Sequence, residues 1–232
     1  MGSSVRPTGL DSAAAALRYW ERRQEVVANN LANVNTDGFK AERAFARLLD
    51  GNLPVIDTST DLKNGAISAT GNPLDVAVAG DAFFVVQTPK GERLSRGGSL
   101  SIDADRKLVD ASGNVMQGVD TIPIGAKQIT IDGQGRVKAD GKDVGRFRLE
   151  TVAPGAALQH EGDGLFSTTG ARTEADMNKN KVRQGAIEGS NVSSMESMVD
   201  MIAVQRAYGA VQKSITALDS VRGLAVTELG KL

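Results

Sequence analysis

The sequence contains no cysteine. Disulfides, thiolate metal sites and thiol nucleophiles are therefore excluded. Only one histidine is present, His160, beside Glu161 in a polar stretch. A lone histidine with no cysteine partner reads as a surface residue, and no metal site is expected. Aromatic residues are 4% of the chain, with a single Trp, so any core must rest on aliphatic side chains. The net charge is −1 over 232 residues, which gives no long-range attraction to nucleic acid or to an anionic membrane. There is no run of about 18 apolar residues, so no helical membrane span is expected. The apolar run Ala13 to Leu17 meets Arg18 at once and is too short for a signal peptide. Met1-Gly2 is followed by Arg6 where a myristoylation motif needs Ser or Thr.

Catalytic patterns are also missing. No G-x-S-x-G, H-E-x-x-H or P-loop occurs. Gly133-Gln134-Gly135 lacks a third glycine at the proper spacing and a following helix, so a dinucleotide site is not indicated. Asp103 and Asp105 begin like a calcium loop, but Lys107 and Leu108 occupy positions that need a ligand and a glycine. A turn between two strands fits better. Asp61 and Asp75 could be drawn as a glycosidase pair, yet nothing in the sequence brings them together. No enzymatic activity and no cofactor are expected.

What the chain does contain is a strong helical pattern at both ends. In Met195 to Leu218, apolar residues fall at Met201, Val204, Tyr208, Val211, Ile215 and Leu218. Steps alternating between three and four are those of a coiled-coil seam. Ser193 and Glu196 form a capping box before it. Ala203, Ala210 and Ala217 recur every seven residues on another side, and only Arg206 and Lys213 are charged between Met201 and Leu218. Such a helix needs more than one neighbour. It is expected from about Val192 to Glu228, with Gly209 costing about 1 kcal/mol against Ala inside it.

The N-terminal helix is expected to start near Thr8, with Asp11 completing a cap pair. Its periodic positions are Leu10, Ala13, Leu17, Trp20, Gln24, Val27, Leu31 and Val34. Asn29, Asn30, Asn33 and Asn35 crowd its last turns, where asparagine is a poor helix former. Their amides are expected to bond neighbouring helices, with Gln205 and Gln212 as candidate partners. Asp37-Gly38 ends the helix by turn chemistry.

Phe45, Leu48 and Leu49 could continue a helix, and Pro54 with Asp57 to Thr60 reads as an extended connector. From 61 to 184 the period changes to that of strands. Of the 26 glycines, 20 lie between 51 and 189. Short apolar runs at Leu74–Val78, Phe83–Gln87, Leu100–Ile102, Lys107–Val109, Ile129–Ile131, Arg136–Lys138 and Phe147–Val152 read as strands. Asp132-Gly133 and Asp140-Gly141 are hairpin signals. Residues 155 to 184 read as polar and irregular. The expected fold class is α+β: N- and C-terminal helices pairing as a coiled coil, with an inserted, mainly antiparallel β domain. The expected boundaries are 1–45 with 186–232 for the helices, 46–60 for a connector and 61–185 for the β domain.

Four ordered blocks carry a resemblance to a known family. They are Val27–Asn33 with Asn35-Thr36 and Gly38-Phe39-Lys40; Thr70–Val78 with Gly80-Asp81 and Phe83-Phe84; Arg96, Gly98, Leu100, Leu108 and Gly113–Gly118; and Gln184-Gly185, Glu188, Ser190–Val192, Met198-Val199, Met201-Ile202 and Gln205–Tyr208. Together they resemble the flagellar rod and hook family of bacterial axial proteins. The resemblance implies a structural protein of the flagellar basal body, not an enzyme. It implies that the terminal helices form the inner tube of a polymer, with the β segment packed outside between subunits. It further implies unfolded export through the flagellar type III apparatus without signal cleavage, polymerisation in the periplasm, and torque transmission to the hook. Partners would be other copies, neighbouring rod subunits and the export apparatus. The length and the 162–166 run look most like the family's proximal rod members, while Gln205–Tyr208 is also similar to its distal rod members. The residues expected at the assembly interface are Leu10, Leu17, Trp20, Val27, Asn29, Asn30, Leu31, Asn33, Met201, Val204, Gln205, Tyr208, Val211, Ile215 and Leu218.

Overall fold

Both periodic ends are helices in the computed structural model, which describes residues 9–47, 55–153 and 155–229. Helix α1 is Gly9–Ala32 and α2 is Ser194–Leu229. Thr8 and the side chain of Leu10 lie outside the described residues. α1 carries Asp11 in its first turn, where the helix dipole favours an acid. α2 is capped by Ser193, whose Oγ accepts the Glu196 N–H at 3.4 Å and whose carbonyl accepts the Ser197 N–H at 2.9 Å. At about 1.5 Å per residue, α1 spans roughly 36 Å and α2 roughly 54 Å.

The chain divides into two units: 1–32, 42–59 and 193–232 form one, and 33–41 with 60–192 form the other. In the helical unit α1 packs against α2 and against the strand Glu42–Arg47. That strand pairs with Val55–Thr60. The helix expected to continue through Phe45 is thus a strand, while Leu48 and Leu49 lie outside the described residues. The local reason is Asn30. Its Oδ1 accepts the Glu42 N–H at 2.9 Å and its Nδ2 donates to the Glu42 carbonyl at 2.8 Å. These bonds hold both main-chain polar groups of Glu42, the first residue of the strand.

Among the described residues, the strand pairings of the β unit are antiparallel. Its central strand, Phe83–Thr88, pairs with Gly91–Ser95, with Val115–Met116 and with Leu149–Val152. Successive side chains of a strand point to opposite faces. Phe84 and Val86 accordingly enter one apolar cluster, with Val76, Val78, Val137, Phe147 and Leu149. Phe83 and Val85 enter a second, with Leu94, Leu158 and Phe166. The strand is buried on both faces, which is why it reads as an unbroken apolar run. The core is mostly aliphatic, as expected. The few phenylalanines sit at its centre: Phe84 meets Phe147 edge-on at 5.2 Å, and Phe83 meets Phe166 at 5.7 Å.

The seven expected strands are present within a residue or two at each end, Phe147–Val152 being shorter as Leu149–Val152. Asp140-Gly141 forms a tight hairpin between Arg136–Ala139 and Lys142–Arg146, with both residues at positive φ, 47° and 81°. Residues 155–184 are not irregular. They contain Leu158–Gly162, Leu165–Thr168, Arg172–Glu174 and Lys181–Gln184. Leu158 and Phe166 anchor the first two strands in the second cluster, one buried apolar side chain at a time. So sparse a pattern is too weak to read as alternation.

Phe84→Ala should cost about 3–5 kcal/mol, because a fully buried ring leaves a cavity. Ile124→Ala, at an 86% exposed side chain, should stay within about 0.5 kcal/mol. Chemical denaturation of the two variants checks the contrast.

Candidate assembly site

Two features stand out: a buried charge cluster in the β unit, and an incompletely covered α2. The cluster is built on Glu188, in the strand Ala186–Glu188 that precedes α2. One carboxylate oxygen accepts Lys40 Nζ at 2.7 Å and the Gly65 N–H at 2.9 Å. The other accepts Arg96 Nε at 2.7 Å. Each of the three side chains is about 1% exposed. Arg96 spends its other donors on backbone. One terminal nitrogen donates to the Ala82 carbonyl, and the other to Val78 at 2.8 Å, Gly80 at 3.0 Å and Asn64 Oδ1 at 3.0 Å. Lys40 also donates to the Lys63 carbonyl at 2.7 Å. Charges buried this deeply persist only when paired and hydrogen-bonded.

Around the cluster, neighbouring segments are tied together. The Gly38 N–H donates to the Glu188 carbonyl at 2.7 Å. Asn191 accepts the Ala41 N–H at 2.7 Å and donates to the Asp61 and Lys63 carbonyls, each at 2.9 Å. Gly38 has φ 65°, and a Cβ there would lie 2.8 Å from Arg96 Cβ. Only glycine gives both that conformation and that clearance. The segment that follows α1 and the one that precedes α2 are thereby held side by side within the β unit. Burial, with the Arg96 charge next, holds the Lys40 ammonium below the ordinary lysine range, against the pull of Glu188 and Asp61.

His160 is half-buried, not fully exposed. It stacks on Phe39 at 4.8 Å between ring centroids and tilts against Phe166 at 4.6 Å. Its strand, Leu158–Gly162, and the turn that delivers Phe39 put it there, and neither was visible locally. Asp103 accepts the Lys107 N–H at 2.8 Å in a turn between Ser101–Ile102 and Leu108–Val109. Asp75 accepts the Thr70 hydroxyl at 2.6 Å on one carboxylate oxygen and the Asn72 side-chain amide at 2.8 Å on the other. Asp61 accepts the Lys63 N–H at 3.1 Å. These acids shape turns.

The expected interface residues fall into three groups. Val27, Asn30 and Val204 are buried within the helical unit. Leu17, Trp20, Leu31, Met201, Tyr208, Val211 and Ile215 are half-buried there, as is Asn33 in the β unit. Asn29, Gln205 and Leu218 are exposed. The described amide contacts are local. Asn30 bonds a strand's backbone, and Asn33 Oδ1 accepts the Thr36 hydroxyl at 3.1 Å. Gln205 and Gln212 point to exposed positions. The reason is distance along the chain: the strand beginning at Glu42 returns past the last turns of α1 and reaches Asn30 first. Lys40, Arg96 and Glu188 carried no expected role, since each is an ordinary charge until the fold brings the three together.

Three family models match this chain. "Flagella basal body rod protein" matches residues 10–40, "Flagellar hook protein FlgE/F/G D1 domain" matches 77–139, and "Flagellar basal body rod FlgEFG protein C-terminal" matches 183–227. The flagellar basal-body rod protein FlgG of Agrobacterium fabrum is 32% identical, over 97% of this chain and 98% of its own. FlgF of Caulobacter vibrioides is 32% identical, over 91% and 93%. FlgF of Salmonella typhimurium is 34% identical, over 94% and 95%. The chain belongs to the flagellar basal-body rod protein family. Each of the three matched regions of this rod-family chain contributes one member of the charge cluster: Lys40, Arg96 and Glu188. Among the described residues, no helix is long and apolar enough to cross a membrane.

Glu188→Gln should destabilise the β unit by about 3–5 kcal/mol, because two buried cations lose their counter-charge. Lys40→Met should cost less, since Arg96 and Glu188 remain a matched pair. Thermal unfolding followed by circular dichroism ranks them. The pH dependence has a definite sign. Between the depressed folded pKa of Lys40 and the ordinary lysine value, the unfolded chain holds a proton that the folded chain has released. Stability from this group therefore rises with pH across that window, and Lys40→Met should remove the rise.

Proposed function

We propose that this chain is a structural subunit of the flagellar basal-body rod that joins its neighbours through its terminal helices. The observation that carries the reading is the apolar surface left open on α2. Leu218, Val221, Leu224 and Val226 are 43–72% exposed, and Met195, Met198, Val199 and Ile202 are 52–76% exposed. Exposed apolar side chains gathered on one element mark an interaction surface. Rod proteins of the same family, FlgF and FlgG, match this chain over nearly its full length.

In this reading α1 and α2 pair as a coiled coil along the seam through Val204, and the pair forms the inner part of the rod. The β unit lies outside it. The chain reaches the periplasm through the flagellar export apparatus without a cleaved signal, and the assembled rod carries torque to the hook. No catalytic step is involved. Length and the 162–166 run favour a proximal position, and relatives of both FlgF and FlgG type stand at 32–34% identity. Assembly also supplies the energy balance. Ordering the helices costs about 1–2 kcal/mol per residue, and each apolar side chain buried returns about 1.5–3 kcal/mol. α2 exposes too many of its apolar residues to recover that cost alone.

Val211→Asp or Ile215→Asp should abolish incorporation into basal bodies while the β unit keeps its fold. Immunoblots of purified basal bodies, with circular dichroism of the free protein, test this. Normal incorporation of both variants would remove the seam from the mechanism.

A further inference from the structure

α2 has a second stripe, roughly opposite the seam. Met195, Val199, Ile202, Arg206, Gly209 and Lys213 follow steps of four and three, and five of the six are exposed, with Gly209 half-buried. Its first two turns are apolar and its next two are cationic. At about 100° per residue these positions centre on the side of α2 away from Val204.

Gly209 is the informative residue. Glycine in a helix interior is unfavourable against alanine, because its backbone loses more freedom on folding. A Cβ built at Gly209 meets nothing within 4 Å, so the subunit's own fold has no use for the missing side chain. A glycine that the fold does not require, placed between two exposed cations, makes a notch for something outside the molecule.

The complementary surface lies on the same helical unit. Glu21, Gln24, Glu25, Ala28 and Tyr208 line a groove of about 420 Å³ beside α1 and α2. Glu21 and Glu25 are exposed, and Glu25 holds only a surface pair with Arg22 at 3.0 Å. Such a pair is worth little and is readily exchanged. The stripe thus offers two cations, and the groove two carboxylates around a small apolar floor.

We infer that the outward stripe of α2 docks into the Glu21–Tyr208 groove of a second copy of this chain, with Arg206 and Lys213 against Glu21 and Glu25 and with Gly209 at the closest approach. This rests on the rod-subunit reading and names the contact within it. The two surfaces differ, so the contact is head-to-tail. Such contacts propagate into open filaments and do not close as a dimer.

The absence of cysteine makes the test clean. Full-length chain carrying Ile202→Cys together with Ala28→Cys replaces the native copy in flagellated cells, and intact basal bodies are oxidised. A ladder of disulfide-linked dimers and higher species, absent from either single variant, is expected. Dimers from Ile202→Cys alone would overturn the proposal in favour of an α2-to-α2 contact. Val199→Cys with Ala28→Cys repeats the test should the first pair disturb incorporation. No cross-link from either pair in correctly built basal bodies would overturn the stripe assignment and leave the rod reading standing. Normal incorporation of Val211→Asp and Ile215→Asp would sink the rod-seam reading instead. Gly209→Ala gives an independent sign test. The free protein should melt about 2–4 °C higher while its incorporation falls. A rise in both, or no loss of incorporation, counts against the notch.

Discussion

One carboxylate ties together distant segments of the β unit. Glu188 stands between the Lys40 ammonium and the Arg96 guanidinium, all three out of water. A buried carboxylate flanked by two cations is a poor way to gain raw stability, because desolvation offsets most of the attraction. It is a good way to permit only one arrangement. A slip of any of the three segments would strand a charge in an apolar core. The cluster joins chain segments 148 residues apart, so the connections to both helices leave the β unit at set positions. The cluster supplies that definition more than it supplies extra stability.

The helical unit shows the opposite strategy. Val26, Val27 and Val204 are buried, yet long stretches of α2 keep their apolar side chains in the open. A core designed for a solitary molecule would hide them. α2 also exceeds α1 by twelve residues, 36 against 24, so a single partner helix leaves its last turns uncovered. The two units therefore divide the work. The β unit holds its two large apolar clusters and its buried charge cluster within itself. The helical unit leaves apolar side chains of α2 in the open.

Aromatic scarcity has a consequence of its own. With six phenylalanines in the chain, the β unit places Phe83, Phe84, Phe147 and Phe166 where the central strand meets its neighbours on both faces. Phe39 and His160 extend that packing to the turn after α1. The same turn delivers Lys40 to Glu188. Ring stacking and ion pairing thus act on one short segment, 33–41, from two sides.

Local periodicity settled the two helices, the Asp140-Gly141 hairpin and the strand Phe83–Thr88. Each of these is written in neighbouring residues, as a period of two or of about 3.5, or as a turn pair that tolerates positive φ. The four signature blocks and the missing catalytic patterns were equally plain. The partner of Asn30, the ring contacts of His160, the strands within 155–184 and the strand after α1 were not. They depend on groups far apart in the chain, and a one-dimensional pattern carries no information about which distant segment arrives first. Above all, although Lys40, Arg96 and Glu188 stand in the signature blocks, no local pattern distinguishes them from solvated charges or pairs them with one another. Only packing that excludes water makes them a single unit, because only there does a missing partner cost more than the pair itself is worth.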